Sequence, residues 1–355
     1  MSDRIYRLRM LLEQKGLDAA VLTSRENTRY FTGFTGTESV ALVGKAACFM
    51  LVDSRYTSQA ALQCAGFEVV DSTLLGFKAL ADTLARLQVR TAGVEDEQLP
   101  LSIFRIFEAN SPDVRFTAME SGPSNLRNQK DDDEMLRIAE AVRIADQAFE
   151  ETLSVIRPGV TERRIAFELE TAMRRAGAEK PSFDTIVGSG ARSALPHGVA
   201  TDKTVESGDC VVLDFGCVFD GYCSDITRTV FVGKPDPELE KIYGIVLDAQ
   251  RAAEDILAPG VTGAQADETA RRVIASAGYG GLFGHGLGHG VGLAIHENPR
   301  LSRTNPGPLK PGDVVTVEPG IYVPGRGGVR IEDMAVITDH GARILTGAPK
   351  EIRIL

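Results

Sequence analysis

The sequence predicts an α/β domain over residues 1–126 followed by an α+β domain over residues 127–355. Three observations lead there. Short apolar runs bounded by turn residues alternate with helical stretches in the first third, as expected of a sheet covered by helices. The composition turns polar near Ser121-Gly122-Pro123-Ser124, which marks a boundary. Beyond it one pattern of helices and strands occurs twice, so the second domain should be two related halves about a pseudo-twofold axis, strands inward and helices outward.

Taken in order, the chain opens with Arg4, Arg7, Arg9, Glu13 and Lys15 interleaved with apolar positions, which reads as an amphipathic helix of the mature protein and not as a signal peptide. Residues 19–22, 40–43 and 48–52 are the clearest strands of the first domain. Asp131-Asp132-Asp133-Glu134 opens a long helix whose acidic first turn suits the positive end of the helix dipole. That helix ends by Arg157-Pro158-Gly159, and another ends by Ala258-Pro259-Gly260. Thr161 and Thr262 then cap further helices, the second with Gln265 in a capping box, and Gly177 and Gly278 stop them. Each half next reaches Gly-Asp ahead of an apolar strand: Gly208-Asp209 leads to Asp214 and Gly312-Asp313 leads to Glu318.

At 355 residues with 43% hydrophobic content, the chain can bury a core in each domain. A net charge of −10, with 49 acidic against 39 basic residues, argues against binding nucleic acid, whose phosphates require a basic surface. No segment reaches the roughly 18 unbroken apolar residues of a membrane span. Five cysteines, an odd number without zinc-like pairing, point to reduced thiols and a cytoplasmic protein. A small molecule or peptide remains as the substrate.

Asp214 ends a strand expected to be central, where an uncompensated carboxylate costs several kcal/mol. The turn signal Asp220-Gly221 folds the chain back and brings Asp225 diagonal to Asp214 on the same face. The second half repeats the arrangement, with Glu318 on one strand, a turn through Gly325-Arg326-Gly327-Gly328, and Glu332 on the return strand. Four inward acids repel one another unless cations lie between them. Oxygen ligands with one imidazole suit manganese, cobalt, iron or zinc better than calcium.

Three of the five histidines, His285, His289 and His296, fall within a short glycine-rich stretch. Its interleaved glycines allow close backbone approach and tight bends, as a ligand-bearing segment requires. His197 sits in a loop-like stretch of the first half. No P-loop lysine or dinucleotide-binding context accompanies the glycines. Cys217 and Cys223 flank the acidic strands as small packing residues and not as ligands.

The segments Leu213-Asp214-Phe215-Gly216, Tyr222-Cys223-Ser224-Asp225, Gly284 to His289, His296-Glu297-Asn298-Pro299-Arg300, Val317-Glu318-Pro319-Gly320 and Arg330-Ile331-Glu332-Asp333 resemble the proline peptidase branch of the pita-bread metallopeptidases. Asn27, Tyr30 and Asp53-Ser54-Arg55-Tyr56 resemble that branch's creatinase-like N-terminal domain. The resemblance implies two divalent cations, manganese or cobalt before zinc or iron, held by Asp214, Asp225, His289, Glu318 and Glu332. It implies that His197, His285 and His296 hold the substrate or its tetrahedral intermediate, with Arg300 and Tyr322 in the pocket and Arg330 orienting a ligand. A hydroxide between the cations would attack the carbonyl of an Xaa-Pro bond, with Glu318 shuttling its proton. A homodimer acting on proline-containing short peptides is implied, as a prolidase that cleaves dipeptides or as an aminopeptidase P that cleaves longer peptides. A creatinase-like hydrolase without metal and a non-enzymatic scaffold compete with this reading, but both lose force because the ligand set is intact.

Overall fold

The computed structural model describes residues 3–74 and 76–355, and the chain divides into two compact units, Met1–Arg127 and Asn128–Leu355. The first unit contains α1 (Asp3–Lys15), β1 (Ala19–Leu22), α2 (Arg25–Thr32), β2 (Val40–Gly44), β3 (Cys48–Val52), α3 (Thr57–Gln63), β4 (Glu68–Asp71), α4 (Lys78–Arg86), β5 (Thr91–Val94), α5 (Leu101–Asn110), β6 (Arg115–Ala118) and α6 (Gly122–Asn125). Its six strands lie in the order β4-β3-β2-β1-β5-β6. Only β2 runs antiparallel to its neighbours. The fully buried runs of β1, β2 and β3 explain why these strands read as continuous apolar stretches.

The motif residues of this unit hold it together. Asn27 donates to Glu95 and accepts from Arg127, while Ser24 gives Glu95 a further 2.6 Å hydrogen bond. Tyr30 donates to the Leu126 carbonyl at 2.7 Å. Arg55 is shared between Asp53 and Glu38, at 2.6 and 2.7 Å.

The second unit contains α7 (Asp132–Thr152), α8 (Glu162–Arg175), β7 (Lys180–Pro181), β8 (Ile186–Ser189), β9 (Cys210–Phe215), β10 (Cys217–Phe219), β11 (Tyr222–Cys223) and β12 (Ile226–Phe231) in its first half. Its second half contains α9 (Pro237–Ile256), α10 (Gly263–Ser276), β13 (Gly288–Gly290), β14 (Glu297–Leu301), β15 (Val314–Val317), β16 (Gly320–Val323), β17 (Gly327–Arg330), β18 (Asp333–Thr338), β19 (Gly341–Ile344) and β20 (Arg353–Ile354). Asp131 caps α7 in a box with Glu134, and Thr262 caps α10 in a box with Gln265. Thr161 caps α8, and Gly177 and Gly278 follow the two helix ends at φ 111° and 92°.

The main sheets are β20-β12-β9-β8 and β14-β13-β15-β18-β19. Each is packed by the helix pair of its own half. One core gathers Ile144, Phe149, Leu169, Val211, Leu213 and Phe215, and the other gathers Ile242, Val246, Ile274, Val315, Val317 and Ile331. Among the described residues no helix is long and apolar enough to cross a membrane.

Each half is organised around one long hairpin. In the first, β9 pairs with β12 from Cys210 with Phe231 to Phe215 with Ile226, and the same register resumes at Val218 with Cys223 and Phe219 with Tyr222. Asp220 and Gly221 close it with φ of 41° and 77°, the left-handed pair of a tight hairpin turn. In the second, β15 pairs with β18 up to Val317 with Asp333, and β16 with β17 continues that register from Gly320 with Arg330. The first ladder is interrupted at Gly216 and Asp225, just beyond the paired Asp214 and Thr227, and the second at Glu318 and Glu332 themselves.

Candidate metal centre

The two acid pairs are not equivalent, which corrects the expected repetition. Asp214 and Glu318 are matched positions, each six residues after the glycine of its Gly-Asp pair. Thr227 lies directly across from Asp214, and Asp225 is diagonal to it. The shared register of the second hairpin puts Glu332 directly across from Glu318, so Glu332 occupies the place of Thr227 and Arg330 the place of Asp225. Glu318 and Glu332 also fall just outside the regular strands on which they were expected. The likeness of the halves lies in the hairpin, and its chemistry has diverged.

His289 enters from β13, wedged between β14 and β15. A Cβ on Gly288 would meet the Thr316 carbonyl oxygen at 2.0 Å, and one on Gly290 would meet that of Asn298 at 2.3 Å. The glycines flanking His289 are therefore required by close strand approach. Tight bends are not the reason, because none of Gly284, Gly286, Gly288 and Gly290 has a left-handed φ.

The ligand atoms converge. Single donor atoms of Asp225, His289 and Glu332 lie within 4.8 Å of one another, and all three residues are buried. His289 Nε2 stands 3.5 Å from Asp225 Oδ2 and 3.4 Å from Glu318 Oε1. Its Nδ1 faces the Gly290 carbonyl oxygen at 3.1 Å, which can only accept, so the proton sits on Nδ1 and Nε2 presents a lone pair. Burial pushes the imidazole pKa down to about 3, which keeps the ring neutral. The Nε2 lone pair thus faces one oxygen each of Asp225 and Glu318.

Burial also raises the carboxylates. Asp225 is pushed well above the usual range by desolvation, with repulsion from Asp214 and Glu318 added. Glu332 is raised by desolvation and by Asp225, and burial holds Glu318 at about 8. Asp214 Oδ1 and Glu332 Oε1 are buried without a hydrogen-bond partner. Unpaired acceptors of this kind are costly unless a cation joins them, so the residues fit divalent ions.

The flanking side chains fix these candidate ligands. Thr227 Oγ1 donates to Glu332 Oε2 at 2.7 Å and accepts from Arg330 Nε at 3.1 Å. Thr316 Oγ1 accepts from the His289 amide at 3.1 Å and donates to Glu318 Oε1 at 3.2 Å. Neither threonine was singled out from the sequence, although strand alternation places Thr227 on the face of Asp225. Arg330, 3% exposed, binds Asp214 and donates from Nη1 to the Tyr322 hydroxyl at 2.8 Å.

A cavity of 480 Å³ opens over this floor. Phe183, Asp184, Ile186, His197 and Val199 line it from the first half, and His285, Ile295, His296 and Arg300 from the second. His285 is engaged at both ring nitrogens, Nδ1 with the Gly286 carbonyl at 2.8 Å and Nε2 with the Tyr322 hydroxyl at 2.9 Å. Burial lowers its pKa to about 4, so Nδ1 carries the proton and Nε2 accepts from Tyr322. That leaves no free donor on His285 for a substrate oxygen. His296 stacks edge to face on His289, with ring centroids 4.4 Å apart, and neither its ring nor that of His197 holds a hydrogen bond. Tyr322, expected in the pocket, is not among the described residues that line the cavity; its hydroxyl binds His285 and Arg330, which do.

Comparison with known proteins places this centre in a family. Residues 137–339 match the model of Metallopeptidase family M24, and residues 4–129 match the Creatinase/Prolidase N-terminal domain. An Xaa-Pro dipeptidase of Pyrococcus furiosus is 39% identical over 357 residues, covering 99% of this chain and 100% of the relative. The solved structure of an Xaa-Pro dipeptidase from Bacillus anthracis has a TM-score of 0.97 at 45% identity and covers 99% of both chains. That of an X-Pro aminopeptidase from Thermotoga maritima has a TM-score of 0.91 at 42% identity and covers 99% of this chain and 100% of the other. With relatives this similar spanning both units, the chain belongs to metallopeptidase family M24 and carries a creatinase/prolidase N-terminal domain ahead of its pita-bread peptidase domain.

Proposed function

We propose that this metallopeptidase hydrolyses the bond between a first residue and proline in short peptides, with the dipeptide Xaa-Pro as its preferred length. One observation carries the reading. Over this floor of converging carboxyl oxygens and the His289 nitrogen, the Arg300 side chain lines the cavity with no hydrogen bond or ion pair to the described residues, free to receive the carboxylate of a terminal proline. The named relatives support it, two of the three cited being Xaa-Pro dipeptidases. The Thermotoga maritima X-Pro aminopeptidase favours longer peptides as the second reading.

In this reading Asp214, Asp225, His289, Glu318 and Glu332 hold two divalent cations, manganese or cobalt in preference to zinc or iron. When bound, such ions supply Lewis acidity to the scissile carbonyl and acidify water. The chain does the rest. Glu318, beside His289 and held by Thr316, is the carboxylate assigned to take a proton and pass it to the departing proline nitrogen. His197 and His296, with free rings, are the groups that can hold substrate oxygens. His285 fixes Tyr322, and through it Arg330, which keeps Asp214 oriented. The five cysteines are free and buried, consistent with a reducing cytoplasm, and we take the protein to be a homodimer.

Xaa-Pro, Xaa-Pro-Xaa and a proline-free dipeptide, assayed after manganese or cobalt loading, separate the readings. The first should be cleaved fastest. Cleavage of the tripeptide alone would make the enzyme an aminopeptidase, and cleavage of the proline-free dipeptide alone would refute the proline assignment.

A further inference from the structure

Of the charged side chains lining the cavity, most already hold a partner. Asp214 binds Arg330, Asp225 faces His289, Glu318 accepts from Thr316, and Glu332 accepts from Thr227. Among the described residues, two lining charges hold no hydrogen bond or ion pair: Arg300 of the second half and Asp184 of the first. They are of opposite sign and enter from different halves of the domain. We infer that Asp184 selects the first residue of the substrate, favouring a basic side chain; this rests on the Xaa-Pro reading above.

Asp184 lies two residues ahead of β8, whose first residue, Ile186, pairs directly with Asp214, and both Asp184 and Ile186 line the cavity. Phe183, Ile186 and Val199 line the cavity from the same half. An arginine or lysine side chain lays its methylene stem along such a surface and carries its charge to the polar edge, where Asp184 is exposed. The substrate's α-ammonium is a poorer partner. It is attached to the carbon next to the scissile carbonyl, which must lie over the buried acids, whereas Asp184 stands at the exposed rim. With the terminal carboxylate at Arg300, the first side chain is the part of the substrate left to reach Asp184.

An exposed pair of this kind is screened by solvent, so the expected preference is modest, about two- to five-fold in kcat/KM for a basic over a neutral first residue. The test uses the full chain loaded with manganese and the substrates Arg-Pro, Leu-Pro and Glu-Pro. The wild type should cleave them in that order. Asp184→Asn should bring the Arg-Pro to Leu-Pro ratio close to one, and Asp184→Lys should raise Glu-Pro above Arg-Pro. Because each ratio is taken within one variant, any loss of folded enzyme cancels. High salt should flatten the wild-type ratios. Ratios that Asp184→Asn and Asp184→Lys leave unchanged overturn the assignment while the Xaa-Pro reading stands. Failure to cleave any of the three overturns that reading and the assignment with it.

Discussion

Lys130 and Glu297 form an ion pair 3.1 Å long with side chains only 1% and 2% exposed. The Lys130 amide is tied to the Gly312 carbonyl, and the other Glu297 oxygen accepts from the Ala294 amide at 3.0 Å. The pair therefore anchors the start of α7 to the loop that delivers His296. Removing the Lys130 ammonium takes the cation from the buried Glu297 carboxylate, so Lys130→Met should cost roughly 3–5 kcal/mol. Adding Glu297→Leu should recover much of that loss, and a double-mutant cycle in urea reads the coupling. Full additivity of the two variants would show that the pair is not coupled.

Tyr322 connects Arg330 to His285 through hydrogen bonds of 2.8 and 2.9 Å. Tyr322→Phe removes both, leaving a buried guanidinium N–H and an imidazole nitrogen without partners, at about 1–3 kcal/mol. The expected result is a lower kcat with a smaller change in KM, because the disturbed residues orient a ligand and do not grip the substrate. A change confined to KM would place Tyr322 against the substrate instead.

In the proposed ligand set His289 is the one imidazole, so the two cation positions would differ chemically. His289→Ala should empty one position more readily than the other, leaving close to one ion per subunit by elemental analysis. Asp225→Asn, which alters an acid facing both Asp214 and His289, should lose both. Equal loss of both ions in His289→Ala would contradict the assignment.

Stripped of cations, the protein should lose stability as pH rises. Burial holds Glu318 at about 8 against an ordinary 4.5, and Asp225 and Glu332 are raised as well. A carboxyl whose folded pKa exceeds its unfolded one binds more protons in the native state, so its contribution is complete below the unfolded pKa and is lost as pH climbs through the folded one. The Tm of the chelated protein should therefore fall between about pH 4.5 and 8 relative to the loaded protein. Ion uptake should release protons, measurable by calorimetry in buffers of different ionisation enthalpy. A chelated Tm that rises across this window relative to the loaded protein would contradict the carboxylate cluster.

Much of this was legible in the residues. Strands β1 and β3 match the expected 19–22 and 48–52, because strands with every residue buried leave unbroken apolar runs. Thr161, Thr262 and Gly177 announced helix ends through local chemistry alone. The diagonal placement of Asp225 also followed from a turn signal and alternation. What escaped depends on contacts distant in sequence. The direct opposition of Glu318 and Glu332 is set by the register of the second hairpin, and the loss of free donors on His285 comes from Tyr322, which lies on β16, far along the chain. The Lys130 to Glu297 pair joins residues far apart in the chain, and no periodicity marks it.

The uninterrupted register of the two hairpins has a consequence for how the protein reaches its working form. Side chains alternate along a strand, so a slip of one residue in either hairpin would turn its acids toward the helices and its apolar residues toward the cavity. A slipped chain would bury charge in Leu213 and Val317 territory and would have nothing left to collect a cation. With the proposed ligand set, cation binding would therefore favour the correct strand pairing, because only the correctly threaded hairpins would gather the acids around an ion.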